Sequence, residues 1–200
     1  AQVCENKFIT SLTLKKNNVL TIPFLIVFTE KEAKLAIEKL GGYPVVLKPV
    51  LGSWGRLLAK INDEEALEAI IEQKIVLGSP SHKVFYLQKY IEKPGRDIRI
   101  TVAGNNVVCA IYRETSHWIT NTARGAQAKP CKVDKCLEKI SLAAARAVGG
   151  GVLGIDVFET DNGYVVNEVN HTTEFKNVQR VTGVDVAGAI INYCMETVKR

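Results

Sequence analysis

Apolar positions along the chain recur with two periods, and the changes between them mark out the elements. Phe8, Ile9, Leu12 and Leu14 among polar neighbours predict a helix over 6–17. Pro23 precedes a β-rich run from Phe24 to Phe28. Thr29 with Glu32 three positions later forms a capping box, and Ala33, Ile37 and Leu40 mark the helix it starts. Gly41-Gly42 ends that helix. Val45-Val46-Leu47 reads as a buried strand, and the loop from Leu51 to Arg56 leads into a second, Leu57 to Ile61. Asn62 or Asp63 then caps a helix to about Lys74.

A second lobe is expected to open with strands at 84–91, 96–103 and 107–114, the last two joined by Gly104-Asn105-Asn106. Residues 115–133 are polar with little periodicity and read as one long functional loop. An Ala-rich amphipathic pattern predicts a helix over 134–148, closed by Gly149-Gly150-Gly151. Strands at 152–159 and 164–170 flank Asp161-Asn162-Gly163, a hairpin signal, and a last helix runs from about Asp185. The fold class is α+β.

Composition narrows the function classes. No run approaches the roughly 18 apolar residues of a membrane span and no signal peptide opens the chain, so a cytoplasmic protein is expected. A net charge of +5 without a clustered basic stripe argues against nucleic acid, although it suits an acidic partner. Cys4, Cys109, Cys131, Cys136 and Cys194 lack CxxC spacing and are odd in number, which favours free thiols over disulfides or zinc. The chain opens at Ala1 and enters a helical pattern within a few residues, which suggests further sequence upstream.

Candidate chemistry concentrates in the last hairpin. A three-residue loop with left-handed Gly163 pairs Thr160 with Tyr164, so that Asp156 faces Glu168 across the ladder and Asn170 shares the face of Glu168. Like charges set directly opposite call for neutralisation, and a hard divalent cation with oxygen ligands supplies it; a solvent-facing polar side is the alternative. Lys48 ends a buried strand, and Gly52-Ser53-Trp54-Gly55-Arg56 follows with amides able to cradle phosphate, or simply to turn the chain. Asp97 and Arg99 share one face of the strand opened by Gly95-Arg96, and Arg113 ends the next; this suits phosphate or carboxylate recognition, or a plain surface ion pair. The loop from His117 to Gly125 offers further donors, among them Thr120, Asn121 and Arg124.

This set, in this order, resembles the ATP-grasp superfamily and, within it, the RimK-like branch. Lys7, VVLKP, GSWGR, the segment Gln88-Lys89-Tyr90-Ile91-Glu92, GRDIR, Asn121 and the trio Asp156, Glu168, Asn170 carry the likeness, together with HWITNTARG, GGGVLGIDVFE and NEVNHTTEFKN. The resemblance implies an ATP-grasp fold: a linking helix over 1–23 from a missing N-terminal domain, a small lobe over 24–87 and a large lobe over 88–200. It implies ATP between the lobes, with adenine against Gln88 to Ile91 and phosphates on Lys7, Lys48 and Gly52 to Arg56. Arg96, Asp97, Arg99, Arg113 and Asn121 join that site. Two Mg2+ ions fall on Asp156, Glu168 and Asn170, and Arg99, Arg113 and Arg124 stabilise an acyl phosphate.

In the lysine-biosynthesis members that these motifs match, the activated carboxylate is the C-terminal glutamate of the acidic carrier protein LysW and the amine is α-aminoadipate. Sister enzymes use glutamate, and other branch members add glutamate to a protein C-terminus. Glu174, Phe175, Asn177 and Val178, with His117, are the implied specificity positions: Asn177 matches the aminoadipate pattern, while Val178 departs from its usual Thr or Ala. A homo-oligomer is expected. A nucleotide-binding module without turnover is the remaining reading, disfavoured by the intact metal trio.

Overall fold

The computed structural model describes residues 1–52 and 55–199. They form two compact units, one of Ala1–Glu5, Ile9–Thr21 and Lys93–Arg200 and the other of Asn6–Phe8 and Ile22–Glu92. The chain starts with two short helices, α1 (Gln2–Glu5) and α2 (Lys7–Lys16).

The smaller unit is an antiparallel sheet under two helices. Its elements are β1 (Phe24–Val27), α3 (Glu30–Lys39), β2 (Val45–Lys48), β3 (Ala59–Ile61), α4 (Glu64–Leu77) and β4 (Phe85–Lys89), with strand order β1-β4-β2-β3. The capping box forms as expected: Glu32 N donates to Thr29 Oγ1 and Thr29 N donates back to Glu32 Oε2, each at 3.2 Å. Asp63 is the cap of α4, accepting from Ala66 N at 2.8 Å. Ala33, Ala36, Ile37, Leu67 and Ile71 of the helices pack on Val45, Leu47, Ile61, Phe85 and Leu87 of the sheet. The strand expected at 84–91 as the start of the second lobe is therefore β4 of this sheet, held between β1 and β2. Burying Phe85 and Leu87 there contributes about 1.5–3 kcal/mol each.

The larger unit is built on a five-stranded antiparallel sheet. β5 (Arg96–Ala103), β6 (Asn106–Glu114), β7 (Gln127–Cys131), β8 (Val152–Thr160) and β9 (Gly163–Asn170) lie in the order β7-β6-β5-β8-β9, with α5 (Lys135–Ala147), α6 (Lys176–Thr182) and α7 (Val186–Val198) around them. One sheet face is apolar: Ile98, Ile100, Val102, Leu153, Ile155, Val157, Val166 and Val169 pack against Leu137, Ala144 and Ala145 of α5 and against Cys4, Leu14 and Val19. Residues 1–5 and 9–21 thus supply core to this unit, and Val166 N donates to Leu20 O at 2.9 Å. The other face is divided. Val178 of α6 and Val186 of α7 cover Cys109 and Ile111 at one end, and the opposite end carries charge.

Two elements differ from the sequence reading. Residues 115–133 are not one loop, because Gln127–Cys131 pairs with β6. Pro130 within it lacks an N–H, which an edge strand tolerates. Lys176–Thr182 forms α6, where no helix was expected. All five cysteines are free, as expected. Among the described residues no helix is long and apolar enough to cross a membrane.

Candidate active site

The charged end of the sheet is assembled by register. Arg99 stands opposite Asp156, Asp97 opposite Arg113, and Asp156 opposite Glu168. The hairpin reaches the last pairing by a different route from the one expected. The turn is Asp161-Asn162 alone, with Gly163 paired to Thr160, and a bulge between Val166 and Glu168 then restores Asp156 to Glu168. Gly154 pairs with Asn170, which keeps Asn170 on the same face as Glu168.

Side chains close this face into a buried network. Arg99 clamps Asp156 with two N–H groups, Nε to Oδ1 and Nη2 to Oδ2, the latter at 2.9 Å. Arg113 does the same to Asp97, with both bonds at 2.7 Å, and its Nη2 also lies 3.1 Å from Asp156 Oδ1. Thr120 Oγ1 donates to Asp97 Oδ2 at 2.5 Å and accepts from Lys93 Nζ at 2.6 Å. Asp97 and Arg113 are buried, at 3% and 6% exposure, so their pair is interior and not the surface ion pair that the sequence left open. Burial alone would push the Asp156 carboxyl up, but Arg113 and Arg99 outweigh it and hold the group below the ordinary carboxylate range. Burial likewise works against the Arg113 charge, and Asp156 and Asp97 outweigh it. A methyl group added at Gly154 would stand 2.6 Å from Thr173 Oγ1 and 3.0 Å from Arg99 Nη1, so only glycine fits beneath them. Thr173 Oγ1 is buried and has no hydrogen-bond partner in this arrangement.

Asp156, Glu168 and Asn170 offer two carboxylates and an amide oxygen on one face, a set of hard donors that fits a divalent cation. Asn170 Nδ2 donates to Gly154 O at 3.4 Å, which leaves its Oδ1 as an acceptor. Both Asp156 oxygens already accept from arginine, but a carboxylate has about four acceptor positions. Among the described residues no group of three or more His, Cys, Asp or Glu stands close enough to cage a metal. A cation here would therefore draw the rest of its shell from phosphate oxygens and water, as Mg2+ does.

Several expected residues lie elsewhere. Arg96 is on the opposite sheet face from Asp97 and Arg99, where it pairs with Glu159 at 2.7 and 3.1 Å and lies 4.0 Å over the Tyr112 ring. Strand alternation forces that separation. Asn121 Oδ1 accepts from Ala123 N at 2.9 Å, capping a short 3-10 turn that carries exposed Arg124. His117 Nδ1 accepts from Ile119 N at 3.0 Å, and its ring stacks on Trp118. Asn177 Oδ1 accepts from Arg180, and Glu174 Oε1 from Lys176 N. Val178 is 2% exposed and Phe175 packs beside it, so Val178 belongs to the core and not to a substrate surface.

In the smaller unit, Lys48 is the half-buried last residue of β2, and Lys7 Nζ donates to Gly52 O at 2.7 Å. Gly52 and Gly55 both have positive φ, which glycine adopts readily, and Arg56 is exposed. Ser53 and Trp54 lie outside the described residues. Gln88 is buried with Nε2 donating to Tyr86 Oη, Lys89 N donates to Pro23 O, Lys60 covers the Tyr90 ring, and Ile91 is half-buried. Lys93 was missed from sequence, although it stands two residues before Gly95 of GRDIR.

A model of the RimK-like ATP-grasp domain matches residues 4–194. The chain is 41% identical over 199 residues to the alpha-aminoadipate–LysW ligase LysX of Saccharolobus solfataricus, covering 98% of this chain and 72% of that protein. It is 34% identical over 197 residues to the glutamate–LysW ligase ArgX of Sulfurisphaera tokodaii, covering 97% and 70%. The crystal structure of a RimK domain ATP-grasp protein from Sphaerobacter thermophilus matches with a TM-score of 0.79 at 26% identity, over 96% of this chain and 68% of that one. The chain belongs to the RimK-like ATP-grasp family.

Proposed function

We propose that this protein is an ATP-dependent carboxylate–amine ligase that joins the amino group of α-aminoadipate to the C-terminal glutamate side-chain carboxylate of the carrier protein LysW. The observation that carries the chemistry is the buried face on which Arg99 and Arg113 meet Asp156, with Glu168 and Asn170 alongside. An oxygen of the acid attacks the γ-phosphorus of ATP; an acyl phosphate forms and ADP leaves. The amine then attacks the acyl carbon, a C–N bond forms, phosphate departs and the nitrogen gives up a proton. Arginine N–H groups fixed in a buried setting stabilise the developing oxyanions without reorganising, which is where such sites gain most. Asp156, Glu168 and Asn170 would hold two Mg2+ ions, which neutralise phosphate charge when bound. Lys7, Lys48 and the amides from Gly52 to Arg56 would hold phosphates, and the segment Gln88 to Ile91 the adenine. Arg124 is assigned to the acyl phosphate, and His117 and Glu174 to the amino-acid side. The net charge of +5 suits an acidic carrier.

The support for aminoadipate is the higher identity to the aminoadipate enzyme than to the glutamate enzyme. The deciding assay is ADP release with Mg2+, LysW and either amino acid. Carrier-dependent turnover that prefers α-aminoadipate is expected; preference for glutamate, or turnover without carrier, overturns the assignment.

Asn177 and Val178 have to be separated in any specificity swap. Val178 packs against Cys109, Ile111 and Val186, so Val178→Phe is expected to cost about 1–3 kcal/mol by overpacking. Urea unfolding measures it, and an unchanged midpoint would return Val178 to the substrate surface.

A further inference from the structure

Lys93 is the one cation of the buried network without a carboxylate partner among the described residues. Asp97 is held by Arg113, and Asp156 by Arg99 and Arg113. Lys93 Nζ instead donates to the Thr120 hydroxyl at 2.6 Å and lies 4.5 Å from the centre of the Phe158 ring. Phe158 and Asp156 sit two apart on β8 and therefore share a face. Of the three cations Lys93, Arg99 and Arg113, Lys93 is thus the one held by a hydroxyl and not by a carboxylate. Burial pushes its ammonium down to about 8, although Asp97 and Asp156 favour the charged form. An ammonium has three N–H donors, and the hydroxyl of Thr120 takes one. A half-buried ammonium held by one neutral hydroxyl keeps part of its desolvation cost, and an arriving anion relieves it.

We infer that Lys93 is a further anion-binding residue of the ligase site, its spare N–H groups donating to the oxyanion of the acid substrate and of the acyl phosphate formed from it. The inference rests on the ligase reading above. A purely positioning role would run through Thr120, whose hydroxyl ties Lys93 to Asp97, and two variants separate the roles. Lys93→Met removes the charge, whereas Thr120→Val removes only the hydroxyl link. If Lys93 touches the anion, Lys93→Met lowers kcat/KM for the LysW acid by about 30- to 100-fold, the loss of one charged hydrogen bond. KM for ATP stays within about threefold, Lys93→Arg recovers part of the loss, and Thr120→Val costs less than about fivefold. A readout without turnover runs alongside. In protein carrying lysine labelled with 13C at Cε, the resonance missing from Lys93→Met reports on Lys93, and inorganic phosphate should raise its titration midpoint above about 8. Equal losses in Lys93→Met and Thr120→Val, or a Lys93 resonance indifferent to phosphate, overturn the inference. A wild-type protein that turns over no acid would end the ligase reading, and the phosphate titration would still decide the role of Lys93.

Discussion

Arg113→Met should cost about 3–5 kcal/mol of folding stability, and turnover should disappear with it. Arg113 is buried and satisfies Asp97 with two bonds at 2.7 Å while reaching Asp156 at 3.1 Å. Among the described residues, removing it leaves the Asp97 carboxylate with Thr120 as its remaining hydrogen-bond partner and Asp156 with Arg99 as its remaining ion-pair partner. The cost comes less from the lost attraction than from a charge stranded out of water. A second substitution tests that statement: Asp97→Asn in the Arg113→Met background removes the stranded charge and should recover part of the stability, although not the turnover. The pH dependence carries the same signature. The Asp156 pKa is depressed in the folded state, so its contribution is present above the ordinary carboxylate value of about 4 and is lost as pH falls through the folded value. Without Arg113 that depression shrinks, and the stability gained between acid and neutral pH shrinks with it. Urea midpoints across pH, at unchanged m, are the measurement; a midpoint within experimental scatter of wild type at pH 7 would show that the pair is not buried as described.

What the sequence disclosed and what it withheld follow one line, between local and non-local determinants. The capping box of Thr29 and Glu32 and the cap at Asp63 are written in adjacent residues and form as read. The placement of β4 is set by its partners β1 and β2, which lie far away in sequence, and no periodicity in 84–91 says which sheet it joins. β7 hid behind Lys129 and Pro130, residues that mark an edge strand once its neighbour is known and a loop when it is not. The facing of Asp156 and Glu168 was legible for the wrong reason. A longer turn and a bulge each shift register by one residue, so the miscounted turn stood in for the unseen bulge. Arg96 was the avoidable error, because alternation within RDIR already separates it from Asp97 and Arg99. Lys93 was not avoidable. Its significance lies in lacking a carboxylate partner, and that is a property of the folded network.

That network also decides which residue can test the metal face, and it favours Glu168 over Asp156. Asp156→Ala or Asp156→Asn would leave Arg99 and Arg113 short of their counter-charge, so lost turnover could be lost folding. Glu168→Gln leaves both arginine pairs of Asp156 in place. It keeps the shape and an acceptor oxygen while removing one charge from the pair set opposite across the ladder. In the presence of a chelator the difference between its unfolding midpoint and that of wild type sets the baseline. With Mg2+ and ATP present the wild type should gain on the variant, because it acquires ligand-linked stability that the variant cannot. Turnover in saturating Mg2+ should fall by about 10³-fold or more, the scale of several kcal/mol of charge stabilisation at the transferred phosphoryl group. A variant that keeps turnover within about tenfold of wild type, or a wild type that turns over in the chelator, would remove the cation from this face. A gain of wild type over the variant on adding Mg2+ and ATP is the result a structural role alone cannot give, since a group that only shaped the sheet would shift both conditions alike.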